Sequence, residues 1–153
     1  MSRAREKKLR RIADLAKDAL DVQVGKLAEA RRVEEERTRA LATAREQVVL
    51  GIGERDAAMK RGLSSDEWGG VEAWIATLRK REVAAAQARE RAAAEVVVAR
   101  EGVIEAQSKL RRIEAVIERV LKADAIIATR VERTMEDEFA AQSARARADL
   151  RGR

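Results

Sequence analysis

Residues 109–131 read KLRRIEAVIERVLKADAIIATRV, and the spacing of the large aliphatic side chains in this stretch decides the fold. Leu110, Ile113, Ile117, Val120, Ile127 and Val131 follow steps of three and four residues, with Asp124 in the one polar place. A helix turns once every 3.6 residues, so these steps put the side chains on a single narrow stripe. Such a stripe is the seam of a coiled coil. Traced toward the N-terminus, the same walk passes Val71, Ile75, Leu78, Glu82, Ala85, Arg89, Ala92, Val96, Ala99, Val103 and Ala106. Beyond Val131 it meets Thr134, Glu138, Ala141 and Arg145, and sixteen of its twenty-two positions are apolar. Alanine counts as apolar wherever it falls, so the weight rests on the larger residues. The pattern predicts a long helix over 71–147 with a frayed tail at 148–153.

The first third carries the same period. Leu9, Ala13, Ala16, Leu20, Gln23, Leu27, Ala30, Glu34, Arg37, Leu41, Ala44 and Val48 form a second walk, apolar at nine of twelve places. It predicts a helix over 3–50, reaching 61 at most. Between the two walks lie the glycines. Gly51 and Gly53 each weaken a helix by roughly 1 kcal/mol relative to alanine, so a break is expected there. Gly62 follows Lys60 and Arg61, as a C-terminal cap after a basic last turn should. Ser64 and Glu67 have capping-box spacing for a new start, and Gly69-Gly70 is expected to bend or interrupt the new helix. The tip is thus placed at 51–70.

One turn between two long helices folds them back antiparallel. The fold class is all-α: a long two-helix coiled-coil hairpin over residues 1–153, with a short helical segment near the tip. Facing residues then sum to about 125. That register sets Glu34 and Arg37 against Arg89, where either a Glu34–Arg89 ion pair fixes the pairing or both side chains stay solvated. At about 1.5 Å per residue the first helix would span roughly 70 Å. The second would overhang it, leaving Ile126, Ile127, Val131, Met135 and Phe139 without a partner. An open apolar stripe suggests a binding surface, self-association being the alternative. Gly25 and Gly102 fall on outer faces.

The composition supports a thin seam. Only Trp68, Trp74 and Phe139 are aromatic, and 39% of the residues are charged. There is no histidine and no cysteine, which removes the commonest general base, the usual zinc ligands and disulfides. Gly51-Ile52-Gly53 lacks the remainder of any nucleotide loop. Carboxylates such as Asp66 and Glu67 have no enclosed site to perturb them. No enzyme activity, cofactor, metal or small-molecule substrate is expected. No apolar run approaches the length of a membrane span and no secretory signal is legible, so the expected setting is cytoplasmic without membrane insertion. The net charge of +6 gathers at the ends. Arg3, Arg5, Lys7, Lys8, Arg10 and Arg11 meet only Glu6, and Arg145, Arg147, Arg151 and Arg153 meet only Asp149. A nucleic-acid reader would carry a denser basic block and stacking aromatics, so nucleic acid is a weaker reading. Trp68 keeps the seam register, as a plug for the tip would. Trp74 falls beside the seam, and with Leu78 one turn below it forms a candidate contact patch.

The basic start, the two long helices, the short tip and the stretch Met135-Glu136-Asp137-Glu138-Phe139-Ala140-Ala141 resemble the FliJ/YscO family. These are central stalk proteins of flagellar and virulence type III export machines. The likeness is one of size, layout and texture over nearly the whole chain. It implies that the paired ends enter the pore of a hexameric export ATPase. In this sequence those ends are Arg3, Arg5, Lys7, Lys8, Arg10 and Arg11 with Val131, Met135, Phe139, Arg145 and Arg147. It implies that the tip faces the export gate through Trp74 and Leu78, that export chaperones are further partners, and that the protein sits peripheral to the membrane apparatus. The competing reading is a coiled-coil scaffold or chaperone of another assembly.

Overall fold

With no proline in the chain, nothing forces the backbone out of the helix before a residue that prefers another conformation. The computed structural model describes residues 2–152; Met1 and Arg153 lie outside the described residues. Helix α1 spans Ser2–Arg61 and helix α2 spans Ser65–Arg151. There is no strand among the described residues, and the two helices pack against each other as an all-α helical hairpin.

The turn occupies residues 62–64 alone. Gly62 has φ of 88°, a left-handed conformation that costs other residues roughly 1–2 kcal/mol, and its N–H donates to the Met59 carbonyl at 3.2 Å. Ser64 then caps α2. The Glu67 N–H donates to Ser64 Oγ at 3.2 Å, and the Ser64 N–H donates to Glu67 Oε2 at 3.4 Å. Two otherwise orphaned donors are satisfied reciprocally. Asp66 and Glu67 complement the positive end of the helix dipole. Ser64→Ala should therefore cost about 1 kcal/mol in urea unfolding, and Ser64→Asp should restore most of it.

Neither glycine pair breaks a helix. Gly51 and Gly53 lie inside α1, and Gly69-Gly70 lies in the first turns of α2. The tip expected at 51–70 shrinks accordingly. A glycine costs roughly 1 kcal/mol, whereas burying one large aliphatic side chain contributes about 1.5–3 kcal/mol, so the adjoining seam holds the helix through them. At the far end α2 remains helical to Arg151, past the fraying expected at 147.

The chain falls into two compact units, Ala19–Ala106 and Met1–Asp18 with Gln107–Arg153. In the first, Leu41, Ala44 and Val48 on α1 and Ile75, Leu78, Ala92, Val96 and Val103 on α2 are buried. All eight belong to the two walks. Gly51 is buried beside them, where an added Cβ would stand 2.7 Å from Leu78 Cδ1. Gly51 is thus a close-approach point of the seam and not its end. Gly102, expected on an outer face, lies against the Gln23 side chain. The Glu34–Arg89 pair does not form. The ion pairs that cross this unit are Arg45–Glu82 at 3.8 Å and Arg55–Glu72 at 3.5 Å. Their residue numbers sum to 127, two more than the expected register. The shift sets Glu34 opposite Ala93 and Arg89 opposite Thr38, which separates the two charges.

The other unit pairs the beginning of α1 with the later part of α2. Ala13 and Ala16 are buried, and Leu9, Leu110, Ile113, Ile117 and Val120 are half-buried. Small residues on α1 facing larger ones on α2 make a thin, close seam. Arg5 lies 3.8 Å from Asp124, which marks the end of the pairing. From residue 125 to 151 every residue except Ser143 is exposed.

Candidate protein-interaction surfaces

The unit that contains both chain ends gathers the basic and apolar candidates. Arg3, Arg5, Lys7, Lys8, Arg10 and Arg11 are all exposed on the opening turns of α1. Arg10 donates to Glu6 one turn earlier, and the Arg5–Asp124 pair is open to solvent. Exposed pairs of this kind contribute little, about 0–1 kcal/mol. Arg3, Lys7, Lys8 and Arg11 take part in no ion pair among the described residues. Their charge is available to an anionic partner.

Val131, Met135 and Phe139 follow at intervals of four residues, so they form one row along α2. They are 52%, 64% and 72% exposed, and Ile126 and Ile127 extend the apolar surface toward the paired seam. Arg145 and Arg147 are exposed on the turns beyond. Basic side chains on α1 and an unpaired apolar row on α2 thus belong to one compact unit.

In the unit around the turn, Trp74 and Leu78 part company. Trp74 is 48% exposed, and the Arg81 guanidinium stands 5.3 Å from its ring centroid, within reach of a cation–π attraction. Leu78 is 3% exposed and points at Gly51. It belongs to the seam walk, so a place on the same outward patch as Trp74 is closed to it. Trp68 is 38% exposed and does not plug the tip. Arg81 carries no signal of its own in the sequence, although its spacing of seven residues from Trp74 puts both on one helix face. Val49 and Leu50, read as the end of a helix, are an exposed apolar pair on α1.

The charged faces are solvated. Arg32 donates to Glu29 at 2.8 and 3.0 Å and to Glu36 at 3.3 Å. The Arg32 hydrogen bond holds the Glu29 carboxyl below its ordinary range. A group so exposed on a helix surface has no enclosure in which that shift could serve acid–base chemistry. Among the described residues, no cluster of three or more Asp or Glu side chains could hold a metal ion, and no helix is long and apolar enough to cross a membrane.

These features define a class of protein, a coiled-coil helical hairpin whose exposed basic and apolar surfaces are suited to contacts with other proteins. A family model described as "Flagellar FliJ protein" matches residues 5–149. The chain belongs to the FliJ family, whose members are structural stalk proteins of the flagellar type III export apparatus. Membership implies protein partners within that apparatus, near the membrane. No curated protein and no solved structure matches the chain.

Proposed function

We propose that the chain is the stalk between a hexameric export ATPase and the export gate, working in the cytoplasm against the membrane apparatus. Its terminal ends enter the ATPase ring. The observation that carries this reading is the composition of the terminal unit: a basic α1 start and an unpaired row of Val131, Met135 and Phe139. A ring lined with acidic groups would steer such a surface into place, and the apolar row would hold it there. Arg145 and Arg147 extend the basic character along the unpaired helix. At the other unit, the exposed Trp74 with Arg81 over its ring supports a gate contact, and Leu78 supports it only indirectly by holding the helix. Empty export chaperones are further partners on this reading.

The test is ATP turnover by the cognate hexamer. Adding the chain should raise turnover or hexamer assembly. Reversing Arg5, Lys7, Lys8 and Arg11 to glutamate should weaken that stimulation by about tenfold or more, as expected when steering charge is inverted. These side chains are exposed, so far-UV circular dichroism should show the helices intact. No binding and no change in rate with the unaltered chain would end this reading.

A further inference from the structure

The terminal unit is not evenly charged around its circumference. One flank of α1 beside the seam carries Arg5, Lys8, Ile12 and Leu15 in steps of three and four. The matching flank of α2 carries Lys109, Arg112, Val116, Arg119, Ala123 and Ile126, and continues to Arg130 and Arg133. Neither row contains a carboxylate between Arg5 and Leu15 or between Lys109 and Arg133; the same steps reach Glu105 before the α2 row and Asp137 after it. Asp14, Glu114, Glu118 and Glu132 fall on the other flank, while Glu6 and Asp124 lie on the seam itself, where Asp124 pairs with Arg5.

An open apolar cleft lies between the two rows, with its basic edge on α2. Leu9, Ile12, Ile113 and Val116 line it, Lys109 and Arg112 stand at its edge, and its volume is about 260 Å³. Ile12 is 47% exposed and Val116 51%, so both can take a further contact. Leu9 and Ile113 are half-buried and form the floor between the helices. The paired stretch begins with residues 2–18 of α1, which at about 1.5 Å per residue extends roughly 25 Å, or five helical turns.

We propose that this cleft docks one acidic amphipathic helix of a protein partner, as a third strand along the two-helix seam. Its apolar face would sit on Ile12 and Val116, and its flanking carboxylates would meet Lys109, Arg112, Lys8 and Arg119. The geometry favours a helix over an anionic bilayer. The apolar floor is recessed between two helical ridges, where side chains from a cylinder can reach it and a flat headgroup plane cannot. Charge complementarity favours an acidic partner, since a row of basic groups repels a basic helix and attracts an acidic one. The inference shares Lys8 with the ATPase reading, but its test is made at Lys109, Arg112 and Val116, which are not among the side chains assigned to the ring.

The test uses the full chain and a fluorescent eighteen-residue probe peptide with leucine at heptad a and d positions and glutamate at e and g. Anisotropy should show saturable binding that weakens as salt is raised. Lys109→Glu with Arg112→Glu, and separately Val116→Asp, should each reduce affinity by about tenfold or more. Val98→Asp, at a 67% exposed site in the other unit, should leave it unchanged. A peptide with lysine in place of each glutamate should not bind. Absence of saturable binding to the unaltered chain would overturn the proposal, as would equal losses in the Val116 and Val98 variants. Phosphatidylglycerol vesicles binding through Lys109 and Arg112 while the peptide does not would assign the cleft to a membrane surface instead. A dimer in sedimentation that Val116→Asp dissociates would assign it to a second copy.

Discussion

Replacing Ile75 by aspartate is expected to destabilise the hairpin of residues 19–106 by at least about 4 kcal/mol. Ile75 is the most buried large side chain among the described residues, at 2% exposure. It lies one turn before Leu78 and beside Gly51, a point of close approach between the two helices. A carboxylate there would lose its water with no described basic group among the buried residues to compensate it. The seam is a single stripe, so no second layer of core can absorb the loss. Urea unfolding followed by far-UV circular dichroism should show a large fall in midpoint or loss of the folded baseline. Ile104→Asp is the matched control, because Ile104 is 58% exposed on the same helix and should change stability by no more than about 0.5 kcal/mol. Similar effects at both positions would contradict the seam assignment.

Gly51→Val and Gly53→Ala should move stability in opposite directions. A Cβ at Gly51 would stand 2.7 Å from Leu78 Cδ1, and Leu78 at 3% exposure has little room to retreat. Valine adds two further methyl groups at that point, so overpacking should cost about 2–3 kcal/mol. The small gain in helix propensity over glycine does not offset it. Gly53 has nothing within 4 Å of its Cβ position, so alanine there should add about 1 kcal/mol. Had both glycines marked a helix break, the two substitutions would behave alike. Paired chemical unfolding curves distinguish the cases.

Much of the hairpin is legible in the sequence because a seam is a one-dimensional pattern. Ala13, Ala16, Leu41, Ile75, Val96 and Val103 are buried where steps of three and four put them. The polar members Arg37 and Arg89 are exposed, since a thin seam lets long side chains swing out to water. Gly51 is easily mistaken for a break because a glycine contributes no apolar side chain to a pattern count. Continuing three residues past Val48 lands on it, and the next steps reach Arg55 and Ala58, both half-buried. Trp68 keeps the register but stays partly exposed, because the capping residue Ser64 lies one turn away and no further seam layer covers the ring. The pairing register differs from the expected one by two residues, enough to misplace Glu34 against Arg89. The length of the loop is hard to read from a sequence in which four of the candidate loop glycines lie inside helices.

The candidate surfaces are less legible. Heptad position separates outward from inward, which puts Trp74 outside the seam, yet it leaves Leu78 assignable to both the seam and the patch beside it. The one-sided charge of the terminal unit needs the relative facing of two helices before the rows around Ile12 and Val116 can be joined.

Hydrogen exchange of the free chain at low concentration measures most directly whether residues 125–151 lack a partner. Most helical stability in a protein comes from tertiary packing, which this stretch lacks. Amides in 125–151 should therefore exchange far faster than those of 92–106, where Ala92, Val96 and Val103 are buried. Equal protection in the two stretches would mean that the end of α2 is already occupied, and no open surface would remain there for a partner.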